Sequence, residues 1–260
     1  MPSLKDTLLL AGGIAIGWML AHKEPATSLT PVDVTDILND RLNEPFQNYR
    51  QLEAVIGLYQ QLNPIAPLPP MRRWAISPDF ALVIMQQVRK TQPQLVVEAS
   101  CGVSTIVTAY TLQQNGSGRV VALEQDEHFA QITRDRLIEH KLDHIATVIH
   151  APLAPLMLNG QTWSWYNTAT VEDMDLQNID MLTIDGPSQW GIDQAMVRYP
   201  ALPVFYDRLS LGATILVDDA DRRDEKRAIK RWLKAYDLVK TTELETEKGT
   251  VILQKAAQGT

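Results

Sequence analysis

A chain of 260 residues, 45% of them hydrophobic, can bury one substantial core. Its net charge of -7 argues against a surface built to grip a polyanion, so no nucleic-acid partner is expected. With Cys101 as the only cysteine, an intrachain disulfide and a cysteine-built zinc cluster are both excluded.

The first element is an uncharged apolar run, "TLLLAGGIAIGWMLA", from Thr7 to Ala21. As a helix it would rise only about 22 Å against a hydrocarbon core of about 30 Å. Three readings are open: a short membrane anchor, a signal-peptide core, or a buried or interfacial helix. Gly12, Gly13 and Gly17 would weaken a soluble helix and are tolerated in a membrane, which favours the anchor. Met19 is a poor fit to the small residue expected before a cleavage after Ala21. The expected arrangement is a tether over residues 7–21 with the following domain in the cytoplasm, the alternative being a wholly cytoplasmic protein. Residues 1–30 therefore read as anchor and linker.

Residues 33–62 carry apolar side chains near helical spacing and predict a helix broken at Pro45, suited to packing on the domain or to self-association into a homo-oligomer. "NPIAPLPP" follows as an extended connector, so residues 31–69 form one segment and residues 70–256 the main domain. Ser77 and Pro78 open a helix in the N-cap and first helical positions. After it, short apolar strands alternate with helical patterns: "QLVVE", "GRVVALE", "IATVIH", "IDMLTID" and "ATILVD", with "LVKTTEL" and "GTVILQK" as a closing hairpin. Such alternation implies an α/β fold, a mostly parallel sheet covered on both faces. "TWSWYNT" lies in the long connection between the third and fourth strands, placed either to wall a pocket or to cover the sheet. The helix "DEKRAIKRWLKAY" presents a basic stripe opposite Ala228, Ile229 and Trp232, read as a solvated face.

In open α/β sheets ligands bind beyond the carboxyl ends of the strands. The residues there are Glu98, Glu124, His150 with Ala151, Asp185, and Asp218 with Asp219. Buried alone, each carboxylate would cost several kcal/mol, so a solvent-accessible cleft is their natural setting. An acid roughly 20 positions beyond the first loop suits the two hydroxyls of a ribose, and Glu124 holds that place. A nicotinamide dinucleotide is the runner-up, but its pyrophosphate requires G-x-G-x-x-G. Here the corresponding positions are Ser100, Gly102 and Thr105. Glu98 would repel a pyrophosphate and accept from an ammonium, so the ligand implied carries a ribose and a positive charge.

At this point "VVEASCGVST" resembles the first motif of class I S-adenosylmethionine-dependent methyltransferases, and "ALEQD", "IDGP", "VRYPALP" and "GATILVDDADRRDE" extend the resemblance over about residues 70 to 255. It implies a Rossmann-like sheet of seven strands with a C-terminal antiparallel hairpin. It implies S-adenosyl-L-methionine as methyl donor, with Glu98 and the backbone from Ser100 through Cys101 to Gly102 on the methionine end, Ser104 and Thr105 in the same motif, Glu124 on the ribose, and Gln125, Ala151 and Pro152 near adenine. Ser100 stands where the family has glycine. Catechol-type relatives hold Mg2+ with an acid after the fourth strand and an Asp-Asn pair after the fifth. Asp185, Asp218 and Asp219 would be the ligands, against the alternative of hydrogen-bonding or substrate-positioning carboxylates. Asp185, Asp218 and His150 are the candidate bases for an acceptor hydroxyl. The expected acceptor is a small molecule or saccharide, and the rival readings are a non-catalytic scaffold on the same fold or a nicotinamide-dependent oxidoreductase.

Overall fold

The structure is a computed structural model that describes residues 31–172, 176–189 and 194–257; the expected anchor over residues 7–21 lies outside them. Among the described residues no helix is long and apolar enough to cross a membrane. The chain divides into two compact units, residues 1–48 and 49–260.

Helix α1 (Pro31–Leu62) passes through Pro45 without the break that the proline suggested. A proline forfeits one backbone bond and crowds the preceding turn. A helix of 32 residues retains the rest of its ladder on either side. From Tyr49 onward α1 belongs to the second unit, which thus begins earlier than residue 70. Leu58, Leu62 and Leu68 lie in one buried cluster with Phe80, Ile84 and Val107.

Helix α2 (Pro78–Thr91) starts at the expected position, yet the Ser77 hydroxyl makes no capping bond. Then follow β1 (Leu95–Ala99), α3 (Val103–Asn115), β2 (Arg119–Glu124), α4 (Glu127–Glu139) and β3 (Ala146–His150). The connection expected to be a long loop is instead a hairpin, β4 (Leu153–Leu158) and β5 (Gln161–Tyr166), followed by the short helix α5 (Thr168–Glu172). Its turn is Asn159-Gly160 with φ of 52° and 76°, the left-handed pair that a tight two-residue turn requires. Next come β6 (Ile179–Ile184), α6 (Ala201–Phe205), a 3-10 turn, β7 (Leu209–Val217), α7 (Arg223–Ala235), β8 (Leu238–Leu244) and β9 (Thr250–Lys255).

Seven strands form one sheet in the order β3-β2-β1-β6-β7-β9-β8. The first five are parallel, and β9 runs antiparallel to both of its neighbours. Alternation along the strands separates two cores. Val97, Ala99, Val121, Leu123, Leu182, Ile184 and Val217 point to the face covered by α6, α7 and the β4–β5 hairpin, where Trp163, Trp165, Phe205 and Trp232 are buried. Val96, Val120, Ala122, Val148 and Met181 point to the face covered by α2 and α3. α7 buries Ala228, Ile229 and Trp232 and leaves its basic side chains to solvent, as its stripe predicts.

Register fixes the rim. Ala99 pairs with Leu123 and Ile184, and Ile184 with Val217, so the next row holds Ser100, Glu124, Asp185 and Asp218; His150 pairs directly with Glu124.

Candidate functional site at the carboxyl rim of the sheet

The loop from β1 to α3 is held open by two residues in the left half of conformational space, Ser100 at φ 116° and Gly102 at φ 126°. A Cβ built on Gly102 would meet no heavy atom within 4 Å, so the space over the loop is clear. Glu98 precedes this turn and, one residue out of phase with Ala99, projects to the α3 face. Its carboxylate accepts from the hydroxyls of Thr105 at 2.7 Å, Thr108 at 2.8 Å and Ser104 at 3.3 Å. Thr105 Oγ1 also accepts from the Gly102 N–H at 3.3 Å, so one threonine ties the buried acid to the loop. Burial raises the Glu98 pKa to about 7, against the lowering effect of the three hydroxyls.

Beside the loop, Glu124 accepts the Asp126 N–H at 3.0 Å and lies 3.4 Å from Cys101 Sγ. Burial raises its pKa above the ordinary carboxylate value. The Cys101 sulfur turns toward α4, 3.1 Å from Thr133 Oγ1. Burial, reinforced by the Glu124 charge, pushes its thiol up. Ala151 is buried, and its N–H donates to the Glu124 carbonyl at 2.7 Å. Pro152 is exposed. Gln125 Oε1 is buried and has no hydrogen-bond partner among the described residues.

Under β6 and β7 the acids converge. One ligand oxygen from each of Asp185, Asp218 and Asp219 falls within 4.8 Å of the others. Arg198, 6% exposed, enters this group. Its Nη2 stands 2.8 Å from Asp219 and 3.2 Å from Asp185, its Nη1 donates to the Asp218 carbonyl at 3.3 Å, and its Nε is 3.7 Å from Glu225. Burial would lower the guanidinium's pKa, and the carboxylates of Asp185 and Asp219 reverse the shift, so the cation is firmly held. Burial raises Asp185 to about 6, with Arg198 opposing it. Asp218 is fully buried, neither of its carboxylate oxygens has a hydrogen-bond partner among the described residues, and burial with the neighbouring acids raises it well above its ordinary value. Asp219 adopts φ 57°, a left-handed conformation that Asp and Asn tolerate better than most residues.

The expected site residues thus fall into two groups on one rim. Glu98, Ser100, Cys101, Gly102, Ser104, Thr105, Glu124, Gln125, Ala151 and Pro152 gather around the β1 and β2 ends; Asp185, Asp218 and Asp219 gather at the β6 and β7 ends. Ser104 and Thr105 point inward to Glu98, away from the open space. Glu98, expected to accept from the ammonium at the methionine end, is buried with its oxygens on these hydroxyls and that of Thr108 instead. His150 stands with the first group, its Nδ1 2.9 Å from Glu127. It is three strands from Asp185, about 14 Å at the usual strand spacing. Sequence reading missed Arg198, Glu225 and Lys248, which come together only in the folded chain. It also missed Tyr166, buried with its hydroxyl over Gly186, where a Cβ would collide with that hydroxyl and press on the Ala99–Ser100 backbone. The Asn159-Gly160 pair was the available signal for the hairpin that carries Tyr166.

Residues 98–220 match a family model described as a methyltransferase domain. No curated protein sequence matches the chain. Solved structures share its fold. A Podospora anserina methyltransferase bound to S-adenosylhomocysteine superposes with a TM-score of 0.59 at 12% identity, covering 84% of this chain and 96% of that one. A Bacillus cereus O-methyltransferase in complex with S-adenosylhomocysteine gives 0.53 at 19% identity, covering 79% and 90%. The Streptomyces achromogenes O-methyltransferase TomG, involved in tomaymycin synthesis and complexed with S-adenosylmethionine, gives 0.53 at 16% identity, covering 79% and 89%. At these identities the likeness speaks for the fold alone, which this chain shares with those methyltransferases.

Proposed function

We propose that the protein transfers a methyl group from S-adenosylmethionine to a hydroxyl of a small molecule or saccharide. The observation that carries this reading is the single rim row in which an open, left-handed loop at Ser100–Gly102 lies beside Glu124, the loop standing one strand from Asp185 of β6 and two from Asp218 of β7. The residues suit the donor chemically: clear space over Gly102, a carboxylate at the ribose position, and an orphaned acceptor on Gln125. Bound there, the donor supplies a sulfonium-activated methyl group.

On this reading the chain does the rest. Backbone groups of Ser100 to Gly102 receive the methionine end, Glu124 accepts from the ribose hydroxyls, and Gln125, Ala151 and Pro152 border adenine. Glu98 acts as a positioning residue: with three hydroxyls on its oxygens, it fixes the first turn of α3 and hence the loop. Holding acceptor and donor in line supplies much of the acceleration. As the acceptor oxygen forms its bond to the methyl carbon and the carbon–sulfur bond breaks, the hydroxyl proton passes to a base. Asp185 is the carboxylate best suited to take it, since with a pKa of about 6 it is ionised at neutral pH. Asp218, which burial and the neighbouring acids raise well above its ordinary value, is the less suited of the two.

Calorimetry with S-adenosylmethionine and with S-adenosylhomocysteine should show binding of both, and absence of heat with either would sink the reading. Mass spectrometry of extracts incubated with isotopically labelled donor should then identify the acceptor. Tethering through residues 7–21 is a further part of the proposal. Deleting residues 1–30 should move the protein from the membrane fraction to the supernatant; equal sedimentation of both forms would end that part.

A further inference from the structure

Asp185, Asp218 and Asp219 offer three oxygens at a spacing that a magnesium ion could bridge. The side chains around them do not fit that occupant. Nη2 of Arg198 lies within hydrogen-bond reach of both Asp185 and Asp219. A cation bonded to the oxygens it holds, Asp185 Oδ1 and Asp219 Oδ2, would compete with it for those lone pairs, leaving only Asp219 Oδ1 and the two Asp218 oxygens as buried atoms of the three acids without a hydrogen-bond partner among the described residues. Asp219 is further engaged by Arg222 at 3.0 Å and faces Lys248 at 3.9 Å, an ammonium also held by the carbonyls of Arg73 and Ala75. Arg198, Arg222 and Lys248 thus stand against the four acids Asp185, Asp218, Asp219 and Glu225. A cluster so largely offset has a reduced field with which to strip a dication of its water.

We infer that Arg198 is a built-in cation that bridges Asp185 and Asp219 in place of a divalent ion, so that this rim holds its acids in position without metal. Arg198 is a positioning residue in this sense: it sets where the Asp185 carboxylate stands. The backbone carbonyl of Asp218 and the Glu225 carboxylate fix the other nitrogens of its guanidinium, so the fork cannot swing aside to admit an ion without giving up its contact with Glu225. The proposal does not require methyl transfer to be the reaction, because ion binding is read directly.

The test is a titration of the full chain with Mn2+, followed by the paramagnetic resonance signal of the free ion. Wild type should hold no ion at this rim with an affinity tighter than about 1 mM, the weak end of oxygen-ligand sites. Arg198→Gln, which removes the charge and leaves the acids, should improve Mn2+ affinity about 10-fold or more. An ion that binds wild type and is released by Asp185→Asn overturns the proposal; one that is indifferent to that substitution lies elsewhere and leaves it standing. A folded Arg198→Gln that gains no affinity also overturns it. Should that variant not fold, the wild-type titration with and without Asp185→Asn decides alone.

Discussion

On the proposed reading, Glu124 is the residue on which donor binding turns. Its carboxylate is half-buried, with one oxygen on the Asp126 N–H and the other near the Cys101 thiol. Replacing it with alanine should weaken S-adenosylhomocysteine binding by about 1 to 3 kcal/mol, the usual cost of leaving ligand hydroxyls unpaired; calorimetry on both proteins measures it, and equal affinities would remove Glu124 from the site. Ser100 presents a different balance. A side chain at φ 116° is strained by about 1 to 3 kcal/mol, and its hydroxyl has only a long bond to the Cys101 carbonyl to offset this. Ser100→Gly should therefore raise the denaturation midpoint, by roughly 1 kcal/mol of stability; a lowered midpoint would mean the hydroxyl is worth more than the strain. That serine was visible in the sequence as a departure from the family glycine. Its consequence was not, because the φ it must adopt is set by the turn between β1 and α3. Arg198 was equally hidden: its partners lie at positions 185, 219 and 225, and nothing local marks an arginine before a tyrosine and a proline as buried.

Among the elements, the β4–β5 hairpin does most to couple the fold to the rim. Trp163 packs against Tyr199, which stacks in turn on Trp232 of α7, while the Trp232 indole donates to the Tyr199 carbonyl at 3.0 Å. Gln194 fastens β5 by accepting the Ser164 N–H and donating to the Thr162 carbonyl, both at 2.9 Å. Trp165 is fully buried and its indole N–H lacks a partner, so its contribution is apolar. Trp165→Ala should cost about 3 to 5 kcal/mol, the range for removing a large buried aromatic. Chemical denaturation would measure it, and a loss below about 1 kcal/mol would show that the hairpin is not part of the cooperative core.

At the scale of the whole molecule, the parallel sheet and its closing hairpin were legible because each strand is a short apolar run ending in a polar residue, and register then carries those ends to one rim. Three features resisted reading. Pro45 did not end α1, since a long helix tolerates one missing bond. The unit that contains the sheet begins at Tyr49, since Leu58 and Leu62 find partners on α2 and α3 that no spacing announces. Residues 153–166 form strands that pair with each other and not with the main sheet, so no alternation with helices marks them. The charged interior also has a global consequence. Glu98 ionises near pH 7 in the folded chain against an ordinary 4.5, so between these values the folded state holds more protons than the unfolded one. Stability from this group is full below about pH 4.5 and is lost as pH rises through about 7, by at most roughly 3 kcal/mol. Asp185, raised to about 6, acts in the same direction. Glu98→Gln should remove much of the slope between about pH 4.5 and about pH 7, read as denaturant midpoints. A difference between wild type and variant that is constant across that interval would show that Glu98 does not ionise there.

Cys101 gives the loop between β1 and α3 a chemical clock. It is the chain's sole thiol, it sits between the two residues with left-handed φ, and burial beside a carboxylate keeps it protonated. Alkylating reagents consume only the thiolate, so in the native protein their reaction must await an excursion of the loop away from Glu124 and Thr133. The rate of modification then counts those excursions without any engineered label, and a ligand that closes over the loop should slow it in proportion to its occupancy.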